Sequence, residues 1–224
     1  MGKKALNSIL TALLAVAIII FTITFSIGLP IYVRPFYYAH IDALDIPGDT
    51  GWSRETIIEA YDEILDYLTL PGREYGAGEL EVIEEEAAHF ADCKVLFNLN
   101  LVAFIIASVV IVVLTLLHKR GIIELSRARG YNVCLWSGVG TLSLFAILAS
   151  VVSIDFDAAF YVFHRIFFPG KDNWQFGFGS EVIQIMREEF FMDCAILIVS
   201  SIILISLALI LVGVLDKRRE NRSK

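Results

Sequence analysis

Two histidines in short aromatic-and-charged motifs are the residues of this chain best suited to chemistry. His89 lies in Glu84-Glu85-Glu86-Ala87-Ala88-His89-Phe90-Ala91-Asp92-Cys93-Lys94, and His164 in Phe160-Tyr161-Val162-Phe163-His164-Arg165-Ile166-Phe167-Phe168. Imidazole gains and loses a proton near neutral pH, so both are candidate acids or bases. On a helix, Glu85, His89 and Asp92 share a face through i to i+4 and i to i+3 spacing. A carboxylate bonded to one imidazole nitrogen fixes the tautomer and leaves the other as an acceptor, a workable general base. A polar helix end with a hydrated histidine explains the first motif as well. For His164 alone, an aromatic belt with one polar member is the preferred reading. The lead is the pair.

Other chemistries find less support. Glu85, His89 and Cys93 could ligate a metal in successive turns, but no His-Glu-x-x-His and no second spaced pair accompany them, so no metal is expected. No Gly-x-Ser-x-Gly elbow occurs. No Gly-rich phosphate loop occurs either, so no nucleotide or other cofactor is expected. His118 suits the C-terminal end of a helix, and His40 falls in an irregular segment without a partner.

The elements that must position these residues are membrane helices. Hydrophobic residues make up 57% of the 224, and four apolar runs are long enough to cross a bilayer. They cover residues 9–29, 95–117, 133–152 and 195–215. None carries a charge, which argues against a pump or channel. Lys3, Lys4, Lys119, Arg120, Arg127, Arg129, Lys217, Arg218, Arg219, Arg222 and Lys224 flank these runs in the N-terminus, the 118–132 linker and the 216–224 tail. The positive-inside rule puts all three in the cytoplasm. The loops 30–94 and 154–194 then face outward and hold most of the acidic residues, which disfavours nucleic acid as a partner. The first run is longer than a signal-peptide core and lacks an A-x-A cleavage site, so it reads as an uncleaved span. Cys93 and Cys194 both fall near the outer boundary, where a disulfide is geometrically possible. Two separate packed thiols are the preferred reading.

Within the first loop, Ile31 to Tyr38 reads as an interfacial belt, and Asp45 to Gly51 as a turn cluster. Ile57, Tyr61, Ile64, Leu65 and Leu68 share a helical face, so Arg54 to Leu70 is an amphipathic helix ended by Pro71-Gly72. A helix from about Glu84 to Leu117 carries His89 to the headgroup level. In the second loop, Asp157 to Phe168 reads as a short interfacial helix. Ser180 reads as the N-cap of a helix continuing into the last span. The fold class is therefore an all-α integral membrane protein: four transmembrane helices with an extracytoplasmic cap formed by two loops containing short helices.

These residues resemble a known family. The run His89-x-x-Asp92-x-Lys94-x-Leu96-Phe97 entering the second span is similar to that of Lit, the bacterial lipoprotein intramolecular transacylase. So are Phe160-x-x-Phe163-His164-x-x-Phe167-Phe168, Asp172-x-Trp174-x-Phe176, Glu189-Phe190-Phe191, and Thr50-Gly51 followed by Tyr61 and Tyr67-Leu68. The resemblance covers essentially the whole chain. Phe90 and Cys93 depart from the family's Met and Val, and a proline before Glu189 is missing.

The resemblance implies an enzyme without cofactor. Its substrate is a diacylglyceryl-modified lipoprotein in the bacterial cytoplasmic membrane. The sn-2 acyl chain moves to the α-amino group of the same N-terminal cysteine, giving the lyso form. An ester becomes an amide and the nucleophile belongs to the substrate, so no ATP, acyl carrier, metal or enzyme nucleophile is required. The α-amino pKa is near 7.7–8, within reach of an imidazole base. On this reading His89 is the base, oriented by Asp92 or Glu85, and His164 the acid or oxyanion partner, with the roles exchangeable. Lys94, Trp174, Asp172 and Tyr161 support the site or hold the headgroup. Cys93, where the family has valine, is not a nucleophile. A four-span scaffold or receptor and a metal-dependent membrane hydrolase are the alternatives.

Overall fold

Runs of apolar residues with few helix breakers satisfy their own backbone groups, and this chain folds almost entirely that way. The structure, a computed structural model, describes residues 2–177 and 179–223, and within 147–153 the side chain of residue 150 only. The helices are α1 (Lys3–Tyr32), α2 (Pro35–Ala43), α3 (Ile46–Thr50), α4 (Arg54–Thr69), α5 (Glu84–Lys119), α6 (Val133–Ile154), α7 (Phe156–Phe167), α8 (Glu181–Ile185) and α9 (Glu188–Arg222). Among the described residues there is no strand, only an isolated bridge between Ala128 and Tyr131.

Among the described residues three helices, α1, α5 and α9, are long and apolar enough to cross a membrane. The fourth expected span, 133–152, coincides with α6, whose stretch Val133–Ala146 is apolar. The side chains at 147–149 and 151–153 of that expected span lie outside the described residues.

The chain divides into two compact units. One comprises Met1–Ile27, Leu101–Val151 and Ile198–Lys224. Its core centres on Leu14, Ile18 and Leu114, with Val110, Ile111 and Leu209 packed around them. Small residues let its helices approach closely. A Cβ on Gly138 would sit 2.6 Å from the Ser206 carbonyl oxygen, and one on Gly213 would sit 2.5 Å from Leu135 Cβ. Arg127 bridges Asp216 and Glu220 at 2.9 and 3.2 Å.

The other unit, Gly28–Asn100 and Val152–Leu197, holds both histidine motifs. Its α4 is the amphipathic helix expected. Ser53 caps it by accepting from the Thr56 amide, and Ile57, Ala60, Tyr61, Ile64, Leu65 and Leu68 are buried. Tyr37 stacks on Tyr61 at 3.7 Å and donates its hydroxyl to the Ile185 carbonyl. Arg34 pairs with Asp62 and Asp66 of α4. Asp155 caps α7 through the Ala158 amide, as an N-cap aspartate does.

Three local expectations change. The cluster Asp45 to Gly51 is a short helix, α3, because Pro47 suits a first helical turn. Asp45 at φ 46 and Gly51 at φ 79 bracket it in left-handed conformations. Ser180 caps only α8, which stops at Ile185, and the long helix restarts at Glu188. Arg187 holds that break, donating to the Gln184 and Leu44 carbonyls and pairing with Asp49 at 2.7 Å. His40, expected without a partner, lies on α2 with Nε2 3.0 Å from Asp193 of α9 and Nδ1 2.6 Å from the Phe36 carbonyl.

Candidate active site

Both histidines lie on helices of one unit, and both are buried. His89 is in the second turn of α5 and 7% exposed; His164 is in the last turn of α7 and 5% exposed. Their ring centroids are 5.6 Å apart.

The burial is aromatic. Phe168 and Phe176 meet His89 edge-on at 5.0 and 5.6 Å. Phe160 packs on His164 at 4.3 Å, and Trp174 stacks on it at 4.3 Å with 22° between the planes. Desolvation disfavours the charged imidazolium. Burial, with His164 as the next contribution, lowers the His89 pKa to about 4, while nearby Asp92 pulls the other way. Burial also lowers that of His164, against the opposing hydrogen bond to Phe160. Both imidazoles are neutral at pH 7.

Hydrogen bonds give the two rings different states. His164 Nδ1 lies 2.8 Å from the Phe160 carbonyl, one turn back on α7. A carbonyl only accepts, so Nδ1 carries the proton and Nε2 carries the lone pair. His89 Nε2 lies 3.4 Å from Cys93 Sγ, and its Nδ1 is buried with no hydrogen-bond partner. A buried polar atom left unsatisfied is uncommon in folded proteins. Burial first, and Asp92 second, push the Cys93 thiol up to about 12, so it stays protonated and unreactive. All three cysteines are free.

The other expected site residues divide. Trp174 reaches His164 directly, and Tyr161 meets the edge of Trp174 at 5.5 Å. Asp92 does not bond His89. Its carboxylate takes Lys171 Nζ at 2.5 Å and Asn173 Nδ2 at 3.4 Å. Those two bonds hold it below the usual carboxylate range although burial works against it. Glu85 is exposed, so neither carboxylate makes the expected orienting contact. Lys94 lies 4.0 Å over the Tyr67 ring, and Asp172 faces solvent beside Arg165 at 3.5 Å. The reason is helical phase. The buried face of α5 runs through Glu86, His89 and Phe90, with Cys93 half-buried one turn on, which turns Glu85 outward.

That face also exposes what sequence reasoning missed. Glu86 is fully buried, accepts from the Ser180 hydroxyl, and takes the Ile83 amide at 3.4 Å. Its i, i+3 spacing to His89 was the available signal. Lys171 and Asn173 approach Asp92 from 79 and 81 positions away, and no local pattern announces such a contact.

Comparison with known proteins decides the family. The family model described as "Lipoprotein intramolecular transacylase Lit" matches residues 12–191, most of the chain. The chain belongs to the Lit family. Three solved structures of Lit from Bacillus cereus share its fold, the first described as membrane-integral with a TM-score of 0.85, 21% identity, and 99% of this chain covered against 100% of that one. Two others are variants of that Lit with one histidine replaced. The arginine variant has a TM-score of 0.79 at 20% identity, covering 99% of this chain and 96% of that one. The alanine variant has a TM-score of 0.76 at 21% identity, covering 96% and 97%. An uncharacterized protein of Aquifex aeolicus (strain VF5) is 24% identical over 141 residues, 63% of this chain and 60% of that longer relative. This Lit-family chain is therefore an all-α integral membrane protein, as expected from its apolar runs.

Proposed function

We propose that this chain is an intramolecular acyltransferase that moves the sn-2 acyl chain of a lipoprotein's diacylglyceryl group to the α-amino group of its N-terminal cysteine. The observation that carries the reading is the pair of neutral, buried imidazoles 5.6 Å apart in a chain of the Lit family. In the reaction the amine nitrogen bonds to the ester carbonyl carbon, and the bond from that carbon to the sn-2 oxygen breaks. One proton leaves the amine and one arrives on the sn-2 oxygen, so the chemistry needs proton transfer and alignment only.

The tautomer held at His164 favours the exchanged assignment of roles. Its Nε2 lone pair takes the amine proton, with Nδ1–H committed to the Phe160 carbonyl. His89 Nδ1, buried and unpartnered, serves the ester oxygens: with the Cys93 thiol donating to Nε2, Nδ1 carries the hydrogen. The stacked Trp174 face steadies the imidazolium formed at His164, which then returns that proton to the leaving sn-2 oxygen. Tyr161 extends that support, and Lys94, Asp172 and Glu85 serve headgroup contacts at the rim.

The setting goes with this reading: four spans in a bacterial cytoplasmic membrane, both termini in the cytoplasm, and the histidine pair outward at the headgroup level. His89 precedes the expected span start at residue 95 by six residues, about 9 Å along a helix. The substrate partner is the diacylglyceryl-modified lipoprotein, with membrane lipid around it. The test is mass spectrometry of a lipoprotein N-terminal peptide from cells that lack the lyso form and express this chain. An acyl group shifted from glycerol to the amine is expected. Peptides left as the diacylglyceryl form with a free amine would overturn the reading.

A further inference from the structure

Asp92 sits on the same helix as His89, one turn further on, yet among the described residues its side-chain bonds go to the loop after α7. Lys171 Nζ is 2.5 Å from Oδ1 and Asn173 Nδ2 is 3.4 Å from Oδ2, so each carboxylate oxygen holds one loop residue. A carboxylate only accepts, which orients the Asn173 amide with its nitrogen toward Asp92. Between the two gripped residues and His164 stands Trp174. Its indole Nε1 donates to the Lys171 carbonyl at 3.1 Å, closing the loop on itself. Its ring then lies flat on the His164 ring. Phe160 covers His164 from its own helix, and Phe163 meets the ring edge-on at 5.3 Å. Those two contacts are local to α7, whereas the Trp174 contact depends on the loop.

We propose that Asp92 is a positioning residue for His164 rather than for His89: by gripping Lys171 and Asn173 it holds the loop that lays Trp174 on the His164 ring. The role rests on the transacylase reading for its effect on rate, but the positioning itself is a property of the fold. The grip joins the helix that carries one histidine to the loop that confines the other, so it sets the two imidazoles in register. Glu86 makes a second polar tie from α5, to Ser180 at the far end of the same loop, and Phe176 packs on His89 and Phe90, so the Asp92 tie is the polar one beside Trp174.

A double-mutant comparison tests this, using the full chain in detergent and a synthetic diacylglyceryl-modified lipopeptide. Asp92→Ala is expected to lower kcat about tenfold or more, since small displacements of a catalytic group are costly. KM stays within about twofold because binding of the lipid is untouched. In a Trp174→Ala background the same substitution is expected to change kcat by less than about twofold, because the two act through one contact. An equal loss in both backgrounds overturns the proposal and returns Asp92 to a direct role at His89. If Asp92→Ala does not fold, the pair Lys171→Met with Asn173→Leu removes the grip from the loop side and goes through the same comparison.

A second readout does not depend on turnover. With Trp52→Phe and Trp136→Phe, Trp174 is the single indole, and a protonated imidazole stacked on it quenches its emission. A quenching step on acidification, absent with His164→Gln, is expected to fall to less than half its amplitude with Asp92→Ala. An unchanged step overturns the proposal. A chain that shows the loss of the step but turns over no lipopeptide keeps the positioning and refutes the transacylase reading.

Discussion

The Cys93 thiol lies 3.4 Å from Nε2 of His89, one helical turn away. A cysteine beside a histidine invites the idea of a nucleophile and its base. The surroundings argue otherwise, because burial pushes the thiol up to about 12 and lowers the His89 pKa to about 4, so no thiolate–imidazolium pair forms. Cys93→Val, close in volume, is expected to keep acyl transfer within about threefold and stability within about 1.5 kcal/mol. Loss of transfer in the folded variant would make Cys93 a reacting group.

Removing either imidazole is a different matter. His89→Gln and His164→Gln are each expected to reduce formation of the N-acylated lipopeptide by about a hundredfold or more, the usual worth of a positioned acid or base. Mass spectrometry of the product checks this, with thermal unfolding in detergent to confirm the fold. A folded His89→Gln chain with full activity would favour a non-enzymatic scaffold.

Stability should follow pH through the same two rings. Their folded pKa values lie below the unfolded value of about 6.5, so the unfolded chain binds more protons as the pH falls. Their contribution is fully present above about pH 6.5. For His89 it falls by about 1.4 kcal/mol per pH unit on the way to its folded pKa near 4. Melting curves between pH 7 and 4 are expected to show a shallower decline for His89→Gln than for the unaltered chain. Parallel declines would show that His89 titrates alike folded and unfolded.

The Glu86 carboxylate is fully buried and tied to the Ser180 hydroxyl, which also caps α8 by accepting from the Ile183 amide at 3.1 Å. Ser180→Ala removes the cap and one of the two bonds to a buried carboxylate. A loss of about 2–4 kcal/mol is expected from the missing cap and the under-satisfied carboxylate together. Chemical unfolding of the full chain measures it. A change below about 0.5 kcal/mol would mean that water takes the place of the hydroxyl.

Several helices were legible in the sequence, because periodicity, Pro, Gly and Ser spacing act over one or two turns, whereas α3 read as a turn cluster. The α4 face, the reach of α5 from Glu84 and the short aromatic α7 all follow from such local rules. The restart at Glu188 was not legible, since Arg187 holds it through Leu44 and Asp49, far away in the chain. The same limit applies to His40, whose partner Asp193 is 153 positions distant.

By itself, then, the sequence determined that this chain is helical and lives in a membrane. It also singled out His89 and His164, since apolar length and the scarcity of titrating side chains are properties of composition and spacing. Only the tertiary structure decided which carboxylate is buried, which nitrogen is left without a partner, and that Asp92 bonds the loop and not its helical neighbour. The physical reason is that hydrogen-bond partners and desolvation are set by contacts between segments. The difference between Glu85 in solvent and Glu86 in the core is one helical step of about 100°, which acquires meaning only when another element packs against one side.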